Sequence, residues 1–528
     1  MGSLKTAHMR SKGIQTKLPL LSVGTGIISG IDSPLASTPI KGPGCRPSKR
    51  PRLELEDEEE SDSSNEFHKE PLDSTYNPGD SVLTEESDIS FETQSTHDEE
   101  KYIVFESCLK QLFENCPVCK KGCNLQRRRM GTYVAFTQRC QHCSYFREWE
   151  SQPMVGSTPV GNLQLSAATY FTGTSFIQLE KLCKAMQLQI FQYDTFKRHA
   201  RNYMEPAIVH KWKMDQQSHF QHQLHLGGVV AVGGDMRADS PGHSAKFGSY
   251  TLMNLESNTI MDIQLVQSNE VGGSYHMEKE GLKRCLDHLE SNGLKVDYIV
   301  TDRHPQIQKF LRERSVTQFY DVWHFEKGLS KKLEKASHNE DCDVLQKWLQ
   351  SIKNHVYWDP SKWLQPGSVA LHKAEKILLN KRVLKDVERL SHHHQTSSLE
   401  SFHSLILRFA PKNVVFPFMG MCRLYLAAMH HNENAMREQA TTSTGQAVFK
   451  VVFPKAKRGE GIVKPVKTNP TFNYVRELMR LLMQEVFEDP TSFAEELKTI
   501  PIPPDLSAEF PKTPKAELVA HHVSRFNQ

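Results

Sequence analysis

Leu226-Gly-Gly-Val-Val-Ala-Val-Gly-Gly-Asp235 and Val296-Asp-Tyr-Ile-Val-Thr-Asp302 decide the fold of this 528-residue chain. Each is a short apolar run with β-branched residues that closes on an aspartate, the pattern of a buried strand presenting a polar group at its end. Between them lie two more strand candidates, 247–255 and 259–267, separated by a hairpin turn at Glu256-Ser-Asn258. An amphipathic helix at 275–291 follows, with Met277, Leu282, Cys285, Leu286 and Leu289 facing inward. Beyond Asp302 the pattern predicts a helix at 305–314 and a fifth strand at 317–324. The order β-β-β-α-β-α-β specifies an α/β fold, a mixed sheet with helices on its faces. In that order the first and fourth strands lie side by side, so Asp235 and Asp302 project into one cleft.

A helix across that edge would supply a third carboxylate, and Glu400 opens such a helix: Leu399, Phe402, Leu405, Ile406 and Phe409 share one face of 398–409. Carboxylates that converge in this way suit Mg²⁺ (or Mn²⁺), a hard cation that takes oxygen ligands, and two such ions serve phosphoryl transfer. Each residue also has a plainer reading. An Asp closing a strand is commonly a turn or cap residue, and Ser397-x-x-Glu400 is a capping-box pattern. The pairing of the two aspartates on neighbouring strands favours the site.

The surrounding blocks carry a resemblance. Gly234-Asp235-Met-Arg-Ala-Asp-Ser-Pro-Gly-His-Ser-Ala245, Val300-Thr-Asp302-Arg-His304, Asp321-Val-Trp-His324 and Leu399-Glu400-Ser-Phe-His403 resemble the core blocks of eukaryotic cut-and-paste DDE DNA transposases. The likeness is to a Kolobok-like or related superfamily, whose members are often met as host-domesticated copies. It covers about 160–435 and implies an RNase H-like mixed sheet with a helical insertion, the latter at about 325–395, where Trp348, Trp358 and Trp363 lie. It also implies metal ligation by Asp235, Asp302 and Glu400, and Mg-dependent DNA strand cleavage and transfer. His324, and more weakly His243, would orient a phosphate or a carboxylate. The N-terminal THAP-type finger of some members is absent from the sequence. The alternative is a domesticated DNA- or chromatin-binding protein that keeps the fold without the reaction.

Outside the core, Cys116-Pro-Val-Cys119 and Cys140-Gln-His-Cys143 form two knuckles of the spacing that closes a tetrahedral structural Zn²⁺ site, in a ribbon-like module at 101–152. Cys123 and His142 are nearby spares, and Arg127-Arg128-Arg129 is expected in a loop. Residues 160–222 read as a helical module. There a helix at 175–186 and a basic helix with Lys197, Arg198 and Arg201, capped by Asp194, resemble a helix-turn-helix reader of double-stranded DNA. The core proper is expected at 223–440 and a mostly disordered tail with one helix at 441–528.

Residues 1–100 hold 10 Lys and Arg against 19 Asp and Glu, whereas the rest carries 55 against 43. A basic body with an acidic, Ser- and Pro-rich tail fits a partner of nucleic acid, and the transposase resemblance implies self-association on DNA. The tail is expected to be disordered. Its cluster at Lys49, Arg50 and Arg52 is what an import receptor can grip, which points to the nucleus. No run is long and apolar enough to cross a bilayer, and 11 cysteines in a chain of this length do not make a disulfide framework.

Overall fold

The computed structural model of the protein describes residues 99–238, 245–346, 367–391, 394–411, 420–453 and 459–501, with pieces of 503–522. Lys49, Arg50, Arg52, His243 and the three insertion tryptophans lie outside the described residues. The described residues up to Lys450 and from Lys464 onward belong to one compact unit.

A short helix, α1 (Glu106–Gln111), precedes a three-stranded antiparallel sheet: β1 (Cys123–Met130), β2 (Tyr133–Cys140) and β3 (Phe146–Glu150). Phe113, Phe136 and Trp149 stack beneath it. The arginine run expected in a loop lies on β1, an edge strand paired through Arg127↔Phe136 to Arg129↔Val134. Next come α2 (Val160–Phe171), α3 (Phe176–Ala185), α4 (Tyr193–His199) and α5 (Glu205–His225). A π-helical turn, Ala200–Met204, joins α4 to α5. Asp194 does not cap α4: the N-cap is Gln192, and Asp194 pairs with Lys197 at 2.7 Å inside the first turn.

The central sheet has five strands: β4 (Val229–Ala238), β5 (Phe247–Asn254), β6 (Thr259–Gln267), β7 (Lys295–Thr301) and β8 (Thr317–Tyr320). Across the sheet they run β8-β7-β4-β5-β6. β4–β5 and β5–β6 are antiparallel, β4–β7 and β7–β8 parallel. Every position of β5 is buried, as expected of a strand covered on both faces. Between β6 and β7 runs α6 (Ser274–Ser291), and between β7 and β8 runs α7 (Pro305–Glu313). Leu282, Leu286, Ile307 and Leu311 from these helices pack on one face, against Val232, Leu252 and Ile299. Gly281 lets α6 approach the sheet, because a Cβ there would stand 2.4 Å from the Cβ of Tyr250.

β8 ends four residues earlier than expected. Asp321 leaves the strand and N-caps α8 (Val322–Ser337), accepting from the His324 N–H at 2.9 Å, so His324 sits on a helix. The insertion continues through α9 (Val369–Leu378) and α10 (Lys381–Val387), with a small core of its own around Cys342, Leu345, Ala370 and Ala374. It returns onto β8, where Tyr320 N–H donates to Arg389 O and Ser391 N–H to Tyr320 O.

The second face of the sheet is covered by α11 (Ser397–Phe409), α12 (Gly420–Asn434), the helices of 160–225 and α13 (Asn473–Leu481). Leu163, Ile208 and Trp212 share one apolar cluster with Ile260, Phe402, Leu426 and Leu478. The region 160–222 is therefore a layer of the core and has no core of its own. Much of 441–528 is ordered as well. Strands Phe449–Val452 and Ile462–Pro465 pair, and α13 and α14 (Thr491–Lys498) follow. Tyr474, Leu478, Leu481 and Leu482 fall on one helical stripe that closes the cluster, which a polar average over the segment conceals. Glu433 caps α13 by accepting from the Asn473 and Tyr474 N–H groups at 2.8 Å each.

Candidate functional site

The register of β4 on β7 places the two aspartates. The parallel pairing runs from Val229↔Lys295 to Gly233↔Val300. Asp235 and Asp302 each lie two residues beyond the last pair, so both emerge at the same end of adjacent strands. Asp235 is not a strand terminus as expected. β4 continues to Ala238 by pairing with β5, Asp235 opposite Thr251. Pairing with β5 carries the strand past the carboxylate, and Asp235 Oδ1 accepts from the N–H of its own neighbour, Met236, at 2.8 Å. Gly234 allows the close packing here, because a Cβ would meet the buried Tyr250 hydroxyl at 2.2 Å.

Glu400 reaches the same edge from α11. The capping box is not formed. The N-cap is Thr396, with no side-chain bond, and the Thr396 N–H is held by Asp321 Oδ1 at 2.9 Å. Glu400 Oε1 instead lies 3.2 Å from His324 Nε2. The other ring nitrogen, Nδ1, is 2.8 Å from Asp302 Oδ1 and 3.2 Å from Asp321 Oδ2. His324 thus stands between Asp302 and Glu400, one imidazole apart. Asp321, 2% exposed, ties the start of α8 to the start of α11 and fixes both. Three residues here were given no role of their own from the sequence, although Asp321 and His403 belong to the quoted blocks. Besides Asp321, these are His403, with Nδ1 3.6 Å from Asp235 Oδ2, and Glu278 on α6. Glu278 had a readable signal, a carboxylate four residues before Leu282 on the inward stripe.

The electrostatics follow from burial and like charge. Burial, then the charges of Asp302, Glu400 and Glu278, push the Asp235 carboxyl up to about 8, against the one N–H from Met236. Burial and the Asp302 charge push Glu278 up to about 7. Asp302 is also raised, by burial first, then by Asp321 and Glu400, with His324 opposing. Asp321 alone is lowered: burial opposes its charge, but the N–H groups of Thr396 and His324 outweigh it. Carboxylates strained by one another in this way, all hard oxygen donors, are the donor set a divalent cation would relieve. Their spacing is looser than that of a single-ion site. Among the described residues, only the four cysteines bring three or more ligand atoms within 4.8 Å of one another. A cavity of about 270 Å³ opens beside Asp302 and His324, walled by Arg303, Phe325, Lys332 and Val383.

The four cysteines do converge. Cys116 Sγ is 3.6 Å from Cys143 Sγ and Cys119 Sγ is 3.4 Å from Cys140 Sγ, near the separation that tetrahedral thiolate ligation requires. Backbone N–H groups of Cys119 and His142 point at the sulfurs of Cys116 and Cys140. The His142 N–H is the main reason the Cys140 thiol falls to about 6. The cluster could hold a structural metal such as zinc. Cys123 and His142 are not part of it. Asn162 of α2 clamps the ribbon to the core, accepting from the Thr132 N–H at 2.9 Å and donating to Met130 O at 2.8 Å.

The helix-turn-helix candidate is less regular. The link from Ala185 to Tyr193 is longer than the three or four residues of such a turn, although Arg198 and Arg201 are exposed. No helix among the described residues is long and apolar enough to cross a membrane.

No family model matches this chain, and no curated protein matches it. Among solved structures, the Drosophila P element transposase strand transfer complex matches at 11% identity over 53% of this chain and 81% of that chain, with a TM-score of 0.24. At that score the likeness is too loose to bear on fold or chemistry.

Proposed function

We propose that the chain is a DDE transposase-like, nuclear DNA-binding protein that performs, or derives from an enzyme performing, Mg-dependent strand cleavage and transfer. The observation that carries this is the register that levels Asp235 with Asp302 on adjacent parallel strands, with Glu400 facing them across His324. The strand order 3-2-1-4-5, with strands four and five parallel to the first, supports an RNase H-like reading of the sheet. Asp235, Asp302 and Glu400 would hold Mg²⁺ or Mn²⁺, which when bound supplies an acidified water or 3′-hydroxyl and neutralises phosphate charge. Two ions about 3.5–4 Å apart span a wider set of ligands than one ion can, in keeping with the spacing of these carboxylates. The chain's own contribution is positional. β4 and β7 fix the aspartates, and Asp321 holds the helix starts that bear His324 and Glu400. The ribbon and its β1 arginines would contact DNA phosphates.

A second reading has one observation in its favour. His324 occupies the space between Asp302 and Glu400, which suits a non-catalytic DNA- or chromatin-binding protein that retains the fold. The two separate by experiment. Purified protein is incubated with linear and supercoiled DNA with Mn²⁺ or Mg²⁺, beside Asp235→Asn and Glu400→Gln. The first reading expects metal-dependent nicking or joining, lost in both variants while DNA binding persists. No cleavage on any DNA with full binding favours the second, and cleavage that survives both substitutions removes these carboxylates from the reaction.

A further inference from the structure

A fifth cysteine stands beside the four-cysteine cluster. Cys123 opens β1 and lies directly opposite Cys140 in the antiparallel β1–β2 ladder. The ladder fixes how close the two are. A two-residue turn, Gly131-Thr132, closes on a hydrogen-bonded pair, Met130 with Tyr133. Bonded and non-bonded pairs then alternate, and Cys123 with Cys140 falls an odd number of steps further on, at a non-bonded pair. Their N–H groups agree, since both donate elsewhere: Cys123 to Glu114 O at 2.8 Å and Cys140 to Tyr145 O at 3.0 Å. Non-bonded antiparallel pairs hold their Cα atoms about 4.5 Å apart with the side chains on one face. That separation falls in the window of about 4.4–6.8 Å which a disulfide accepts without backbone movement.

The two thiols differ in what holds them. Cys140 belongs to the cluster, its sulfur 3.4 Å from Cys119 Sγ and 3.4 Å from the His142 N–H. As a metal ligand it is a thiolate. Cys123 lies outside the cluster, with its thiol 4.0 Å from Lys121 O. A spare cysteine is usually a small apolar filler, and Cys183, Cys285 and Cys422 are buried on helices in that way. Cys123 and Cys140 are both only partly buried, and the cross-strand neighbour of Cys123 is a candidate metal ligand.

We infer that Cys123 and Cys140 form a reversible disulfide under hydrogen peroxide, and that its formation takes Cys140 away from the metal. The Cys140 thiolate attacks the peroxide, the O–O bond breaks, and Cys140 becomes a sulfenic acid as hydroxide leaves. The Cys123 thiolate attacks that sulfur, the S–O bond breaks, and a second hydroxide leaves. The two sulfurs have given up two electrons. The Cys123 proton and one from solvent turn the two hydroxides into water. Three cysteines remain for the metal, too few for a closed tetrahedral site. The new bond joins residues that are already opposite, so β1 and β2 stay paired while the Cys140–Cys143 knuckle is released. This rests on the reading of the cluster as a zinc site and is independent of the carboxylates.

The test uses the full chain, purified under thiol reductant and then freed of it. Hydrogen peroxide is added with a colorimetric zinc chelator, and peptides are mapped by mass after alkylation without reduction. Wild type should release most of its zinc in step with a Cys123–Cys140 disulfide. Dithiothreitol with added Zn²⁺ should then restore the full zinc content. Cys123→Ser keeps all four ligands, so it should carry as much zinc as wild type before peroxide. Its Cys140 sulfenic acid lacks the cross-strand partner and should pass on to sulfinic acid, which dithiothreitol does not reduce, so its zinc content should stay low afterwards. Cys123→Ala should behave in the same way and covers any disturbance of the strand by serine. Cys108, exposed on α1, should oxidise equally in all three proteins and reports the peroxide dose. Three results overturn the inference: a Cys123 still open to alkylation in wild type that has lost its zinc, disulfides confined to the four ligands, or full recovery of zinc by Cys123→Ser. Protein that purifies without zinc removes the metal reading, and the peptide map then decides the Cys123–Cys140 linkage by itself.

Discussion

Replacing Asp235 by Asn tests the carboxylate cluster through stability, with no substrate needed. The Asp235 carboxyl stands at about 8 in the fold and at about 4 in an unfolded chain. Between those values the folded state keeps the proton and the unfolded state has released it, so stability must fall as pH rises from ~4 to ~8. At 1.36 kcal/mol per pH unit, that interval sets a ceiling of ~5 kcal/mol. The side chain is 23% exposed, and water screening brings the expected effect to ~2–3 kcal/mol. Asn keeps the oxygen that accepts the Met236 N–H and cannot ionise. Urea unfolding in EDTA at pH 5.5 and 8.5 would read the difference. Wild type should lose ~2–3 kcal/mol more than Asp235→Asn between the two, with Glu278 adding a pH dependence common to both. Mg²⁺ at pH 8.5 should then restore wild type, by ~2.7 kcal/mol at a hundred times its dissociation constant, and do little for the variant. Parallel pH profiles for the two proteins, or an equal response to Mg²⁺, would refute the clustering of charge on which the site rests.

Three other outcomes are expected. Zinc should co-purify with the chain, and Cys140→Ser should release it and raise amide hydrogen exchange across 106–150 while leaving the central sheet protected; metal-free protein with unchanged exchange would count against the site. Gly234→Ala should destabilise by ~1–3 kcal/mol, because its Cβ would drive into the buried Tyr250 hydroxyl, and a melting temperature equal to wild type would show that the strands are not so closely packed. Replacing Lys49, Arg50 and Arg52 by Ala should move a reporter fusion out of the nucleus, whereas undiminished nuclear signal would make that cluster incidental.

What the sequence determined by itself is what neighbouring residues determine. The apolar runs ending near Asp235 and Asp302 mark strands because alternation and β-branching act over a few residues, and their order already makes the first and fourth strands neighbours. The cysteine pairs are legible because each knuckle is local, and the structure brings their sulfurs within contact. Even so, a local pattern misled where a distant partner intervenes. Ser397-x-x-Glu400 fits a capping box, but the Thr396 N–H bonds Asp321, 75 residues earlier, and Glu400 turns to His324. The strand expected through His324 stops at Tyr320 because Asp321 finds two N–H donors off the sheet. The helices of 160–225 and α13 look like separate pieces until their apolar stripes are seen to be halves of one layer. Only the tertiary structure decided that Glu278 and His403 join Asp235 at the site. Such contacts are set by the packing of elements far apart in the chain. The free energy of that packing belongs to surfaces that no short stretch of sequence possesses alone.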